Sequence, residues 1–275
     1  MSQHTRPFHI ALAAAALLGT ACDGSDGPLQ ERAGAFEWRG PAAAGNTLRV
    51  RDMNGDITVS PSADDTVRVR ADIAWRRGDP DRSLHFTGWR EGSDIIICAV
   101  WGKGTCTATK YDSEFRSARG TDAKVHFHIE APAGVKLELV AINGDIAAAA
   151  SAPVEARTSN GDIRVVTAVG PARGVTMNGS VDLRMASLVG TDSVIAKTLN
   201  GDVFVYLPDA PDAAIDLQTM TGSVSTEFPV IVTGEANRRS LRAVLGTATR
   251  TVSLRTTNGS ASLRRLENAG GAGAP

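Results

Sequence analysis

The chain has 275 residues, with 29 Lys and Arg against 30 Asp and Glu, and only 5% of it is aromatic. A balance this close to neutral offers no polybasic surface, so neither nucleic acid nor a charge-driven membrane contact is expected as a partner. The three cysteines fit an exported protein.

Residues 1–21 read as a signal peptide. Arg6 lies in a short leading region, the apolar run Ile10 to Leu18 follows, and Gly19-Thr20-Ala21 precedes Cys22. Such a run is too short for a permanent membrane helix and suits the core of a cleavable signal. A Cys directly after it resembles the bacterial lipoprotein signal, in which the thiol is lipidated and becomes the mature N-terminus. Cys22 is therefore the expected lipid attachment site. Gly19 stands where that pattern carries Leu, and plain cleavage after Ala21 is the alternative. Residues 22–35 are expected as a flexible tether, polar and Gly-rich from Asp23 to Gly27, and 267–275 as a frayed tail. About 230 residues remain between them, enough for one domain.

Residues 36–130 hold all four tryptophans, Trp38, Trp75, Trp89 and Trp101. Alternating stretches at Leu48–Arg51, Ile57–Val59 and Val67–Arg70 are expected to begin a stack of strands. The Trp-rich stretch from about Ala74 to Thr121 is then a cap or side elaboration, since a repetitive stack needs an atypical end. The other reading makes Trp75, Arg76, Trp89, Arg90 and Trp101 a ligand platform, because Trp and Arg are enriched in binding hot spots. Cys98 and Cys106 flank the turn-like Trp101-Gly102-Lys103-Gly104 and are expected to form a disulfide. Arg77-Gly78-Asp79 matches an adhesion tripeptide, although Gly-Asp-Pro is ordinary turn chemistry.

From 131 to 266 one phrase keeps returning. Met53-Asn54-Gly55-Asp56-Ile57 is its early copy; the others turn about Asn143-Gly144, Asn160-Gly161, Asn178-Gly179, Asn200-Gly201, Thr221-Gly222 and Asn258-Gly259. The steps are 17, 18, 22 and 21 residues, and a last step of 37 reads as two units. Aliphatic residues sit three and five places after each corner and six and four before it, the alternation of strands with one buried face. Asn and Gly tolerate the positive φ of a sharp corner. Asn-Gly also marks hairpins, which makes an antiparallel meander the competing fold. Thr recurs two residues before the corner (Thr158, Thr176, Thr198, Thr219, Thr256), and only parallel coils about 4.8 Å apart explain such ladders. The expected fold is all-β, a single-domain parallel β-solenoid of about seven coils.

Val125 to Val135, with its proline-bearing turn, leads into the first phrase. Serial T-x-N-G-D-[IV] units and then Val205-Tyr206-Leu207-Pro208 follow. This resembles the bacterial "putative adhesin" β-strand-repeat family, domain of unknown function 4097, over about residues 45 to 266. The resemblance implies adhesion or envelope association and supplies no catalytic residues.

His126 and His128 share one strand face and, with His85, Cys98 or Cys106, could frame a zinc site; oxidised cysteines could not serve. Asp56, Asp145, Asp162 and Asp202 invite comparison with calcium-binding rolls. Those need a denser glycine repeat, and a side chain capping the corner backbone explains both these Asp and the Ser that replaces them in three copies. No metal or cofactor is expected. The outward charges are mixed, and no hydrolase, metalloprotease or nucleotide fingerprint occurs. The resulting expectation is a non-catalytic, lipid-anchored envelope protein facing periplasm or exterior, structural or adhesive, with an envelope polymer, surface or envelope protein as partner. A carbohydrate-active β-helix enzyme and a ligand-binding stress sensor are the alternatives.

Overall fold

The computed structural model describes residues 28–112 and 121–266. The signal segment, Cys22, the start of the tether and the tail at 267–275 lie outside the described residues. Strand β1 (Gln30–Pro41) is followed by β2 (Thr47–Arg51) and β3 (Ile57–Pro61) around the Asn54 corner. Next come β4 (Thr66–Trp75), a 3-10 turn at Pro80–Arg82, β5 (Leu84–Glu91) and β6 (Asp94–Trp101). The short pair β7 (Thr105–Cys106) and β8 (Tyr111–Asp112) precedes β9 (Lys124–Ala131).

From β9 onward the strands come in pairs about a corner. They are β10 (Lys136–Val140) with β11 (Ile146–Ala150), β12 (Val154–Arg157) with β13 (Ile163–Gly170), and β14 (Ala172–Val175) with β15 (Val181–Leu188). Then come β16 (Val194–Lys197) with β17 (Val203–Leu207) and β18 (Ala213–Thr221) with β19 (Val224–Thr226). After β20 (Ile231–Ala236) and β21 (Ser240–Leu245) the last pair is β22 (Arg250–Asn258) with β23 (Ala261–Arg265).

Each pair gives one strand to each of two sheets. The ten-stranded sheet runs β1-β4-β9-β3-β11-β13-β15-β17-β23-β19, and the eleven-stranded sheet runs β20-β21-β18-β22-β16-β14-β12-β10-β2-β6-β5. Between them lies one apolar core, and the inward positions read from the repeat fill it: Ile163, Val165, Val181, Leu183, Val203 and Val205 are all buried. Val224 and Thr226 are only half-buried, because β19 is the last strand of its sheet and has no outer neighbour. Pairing through the repeats is parallel and in register, Ile146 beside Ile163 beside Val181 beside Val203, which rules out the meander.

Chain order and stacking order differ at both ends. The step of 37 residues is not two further coils. β22 and β23 slot between the β16–β17 pair and the β18–β19 pair, so the stack reads Asn200, Asn258, Thr221. The intervening residues form β20 and β21, antiparallel additions beyond β18. The amide ladder therefore runs on to Asn258, and the Thr221 corner, which has no amide, stands beyond it. At the other end β2 and β3 join the stack as expected, but β6 and β9 form the level outside them. β4 pairs antiparallel to β9, as does β5 to β6, and β1 follows β4.

The expected tether also ends early. Residues 30–35 are strand, with Gln30 beside Trp75 and Arg32 beside Ile73. This edge is exposed on both faces, so no alternation of apolar residues announces it.

Candidate functional site

The corners of the middle coils share one construction. The corner glycines of the middle coils have φ between +139° and +152°, and a Cβ on Gly161 would overlap the carbonyl oxygen of Gly144 in the coil beside it. Corner Thr hydroxyls donate to the glycine carbonyl of the preceding coil in the stack: Thr158 to Gly144 (3.0 Å), Thr176 to Gly161 (3.0 Å), Thr198 to Gly179 (2.8 Å) and Thr256 to Gly201 (2.8 Å). Thr219 reaches Gly259 at 2.7 Å. Asn Nδ2 groups donate to the Oδ1 of the previous Asn along 143, 160, 178, 200 and 258, at 2.7–2.8 Å. Asp56, Asp145, Asp162 and Asp202 each use Oδ1 to accept the backbone N–H of the next corner, at 2.7–2.9 Å. Those carboxylates cap backbone rather than surround a cation. Asn54 departs from the amide ladder, donating to the Ala123 carbonyl at 2.6 Å.

The first corner carries Asp52 where the Asn143 corner carries Ala141 and the later ones carry Thr. It is fully buried, its Oδ1 accepts from Trp101 Nε1 at 3.4 Å, and Oδ2 has no hydrogen-bond partner among the described residues. Burial pushes its pKa up to about 7, against the smaller opposing pull of the Met53 and Asn54 backbone N–H groups and Trp101. Neighbouring Arg51 donates to the carbonyls of Thr107 and Ala108 at 2.6 Å each, pinning the β7–β8 loop over β6. The Cys98–Cys106 disulfide closes the same loop, and Tyr111 Oη donates to the Ala99 carbonyl at 2.7 Å.

The Trp and Arg residues read as a platform do not form one surface. Trp101 is 1% exposed and points into the main core. Trp89 lies half-buried on Ile96, Cys98 and Val100, the outer face of β6. Arg90 stacks on Trp38, while Trp75 carries Arg32, which also forks to Asp81. Arg76 is exposed, and its backbone N–H goes to Asp122 at 2.8 Å. Trp101 does not belong to a platform because it falls in step with Ile95, Ile97 and Ala99 on the core-facing side of β6. Arg77-Gly78-Asp79 is a turn in which Gly78 has φ 76° and Asp79 caps the 3-10 turn by accepting from Asp81 N–H.

His126 and His128 share the outer face of β9 but look at different acids, Asp56 (3.3 Å) and Asp72 (3.6 Å). His85 sits on β5 in the other sheet, and both cysteines are oxidised, so the zinc set is not assembled.

On the eleven-stranded sheet several arginines meet acids: Arg49 with Asp94 and Glu138, Arg157 and Arg173 with Glu155, Arg255 and Arg242 with Asp216. The far half of the ten-stranded sheet presents a different array. Phe204 and Tyr206 point outward from β17, Arg184 of β15 lies 4.4 Å from the Tyr206 ring centre, and Arg264 of β23 lies 5.2 Å from Phe204 and 5.9 Å from Tyr206. Arg184 is forked by Asp182 at 2.8 and 2.9 Å, which raises its pKa. Sequence reading passed over Phe204 and Tyr206. Their offsets of four and six from Asn200 are the outward ones, and aromatic residues there were the available signal.

The sequence matches the Toastrack DUF4097 family over residues 41–264, and the chain belongs to it. Among solved structures, a putative cell adhesion protein from Clostridium sporogenes is 11% identical with a TM-score of 0.44, covering 84% of this chain and 99% of its own. A putative adhesin from Bacteroides fragilis is 11% identical with a TM-score of 0.31, covering 86% and 97%. No protein of curated function matches the sequence.

Proposed function

We propose that this is an exported, lipid-anchored bacterial envelope protein whose capped β-solenoid is a stiff, non-catalytic body presenting a ligand-binding face. In this reading residues 1–21 are the signal peptide, Cys22 carries the lipid, and a tether runs to about Leu29. The levels from β1 to β6 and β9, with the Trp-rich loops, form the membrane-proximal cap.

The observation that carries it is polarity along the stack. β1 begins at Gln30, seven residues after Asp23, so a lipid on Cys22 holds that end within about 25 Å of a bilayer. β17, with its aromatic and arginine array, lies seven strand spacings from β1, about 34 Å further out. An anchor at one end and an unsatisfied face at the other is the arrangement of a presenting protein. Structural or adhesive roles toward an envelope polymer, a surface or an envelope protein all use it.

The test is intact mass spectrometry on protein from its native membrane fraction, with and without reduction. The expected mass is that of a chain beginning at a diacylglyceryl-modified Cys22 and gaining two hydrogens on reduction. An unlipidated chain found in the soluble fraction would overturn the anchored reading.

A further inference from the structure

The geometry points to the Arg184–Tyr206–Arg264 row as a binding site for the carboxylates of an acidic sugar polymer. This deepens the ligand-presenting reading above and rests on it. Stacking on a ring uses the face of a guanidinium and leaves its in-plane N–H donors unspent. Arg184 shows what those donors take. While stacked on Tyr206 it holds the Asp182 carboxylate in a two-point fork at 2.8 and 2.9 Å. Arg264, on the strand at the other side of β17, lies over Phe204 and over the same Tyr206 ring, and among the described residues it meets no carboxylate. The acid that follows β19, Glu227, is engaged by the Arg265 backbone N–H at 2.9 Å. Arg264 is thus a fork held in place with its ligand position open.

The rest of the face selects among anionic partners. Arg164, exposed on β13, also meets no carboxylate among the described residues and lies three strand spacings across and two residues along from Arg264, about 16 Å away. Two open cations at that separation call for repeated anions on one molecule. The strip is narrow, two outward rows wide, and far below the roughly 800 Å² per side of a stable contact with a folded protein. Single-stranded nucleic acid would need free ring faces for base stacking, and Arg184 and Arg264 both lie against the Tyr206 ring. The Tyr206 hydroxyl, and Ser225 Oγ as an acceptor while it donates to Ser262 Oγ at 3.0 Å, suit sugar hydroxyls. An extended chain bearing spaced carboxylates fits all of these features.

The experiment measures binding of the full chain to polygalacturonate, with dextran and oligothymidine as comparisons, at low ionic strength. Polygalacturonate is expected to bind and the other two not. Arg264→Ala should weaken binding by about tenfold or more, the loss of one charge-assisted fork. Arg264→Lys should recover only part of it, since an ammonium lacks the planar fork. Arg255→Ala, on the opposite sheet and paired to Asp216, should bind as the parent does. Equal binding by Arg264→Ala with an unchanged melting temperature would overturn the proposal, as would equal weakening by Arg255→Ala or equal binding of oligothymidine. A lipidated protein that ignores polygalacturonate removes this inference and spares the envelope reading. A protein that binds it without an anchor does the reverse.

Discussion

The middle of the stack and its N-terminal end solve the same problem by different means. From Asn143 to Asn258 each corner is satisfied by the coil beside it, so Asn and Asp or Ser recur at fixed offsets, with Thr from Thr158 onward. At the Asn54 corner there is no equivalent coil outside. A buried carboxyl, a Trp indole, an arginine reaching two loop carbonyls and a disulfide replace the ladder. A repeat can be stabilised by repetition only where a neighbour repeats it. An end must be closed by contacts made once.

The largest expected effect breaks the middle. Gly161→Ala places a Cβ at φ +152° against the Gly144 carbonyl, and both the strain and the overlap are with backbone. A loss of about 3 kcal/mol or more in a urea titration is expected, with failure to fold as the extreme. The same substitution at Gly92, an exposed turn with φ +63° and open space around it, should cost only about 1 kcal/mol.

The next effect belongs to the end. Asp52 has a folded pKa raised to about 7, above its unfolded value, so its contribution is fully present in acid and is lost as pH rises through about 7. Thermal melts from acid to mildly alkaline pH should show stability falling by a few kcal/mol from this group. Asp52→Asn, which keeps an acceptor for Trp101, should flatten that slope. A slope unchanged in the variant would mean that Asp52 is not the group responsible. Removing the disulfide with Cys98→Ala and Cys106→Ala should cost about 2–3 kcal/mol and loosen the β7–β8 loop first, read by limited proteolysis.

The smallest effect is in the ladder itself. Asn178→Ala interrupts two amide hydrogen bonds, to Asn160 and from Asn200, on an exposed edge. About 1 kcal/mol is expected, because neighbouring coils still hold the backbone. A loss as large as that at Gly161 would show that the side-chain ladder, not the backbone corner, carries the fold.

How far the sequence could be read follows the same division. The corners were legible because their chemistry is periodic: Thr176, Asn178 and Gly179 have the roles their offsets imply. The place of the Asn258 coil was not, since chain order puts it last and only the strand pairing puts it between its neighbours. β1 and β20 were invisible because exposed edge strands need no apolar alternation. The Trp-rich stretch was misjudged at Trp101, which lies in step with Ile95, Ile97 and Ala99 on the core-facing side of β6. The Arg184–Tyr206–Arg264 row was within reach, since Tyr206 lies at an outward offset. Its partners, however, come from strands 22 and 58 residues away, measured from Tyr206 to Arg184 and to Arg264.

The central claim is that the stack is continuous through its inserted last coil and closed by singular contacts at the other end. Native-state hydrogen exchange tests it most directly. The Gly144, Gly161, Gly179 and Gly201 amides donate to the neighbouring corner, and Gly259 donates to Thr221 at 2.9 Å. All five are expected to exchange together, by global unfolding, while amides of the 102–112 loop exchange by local opening. Early exchange at Gly259, ahead of that loop, would contradict the account, for it would mean that the last coil frays instead of lying between its neighbours.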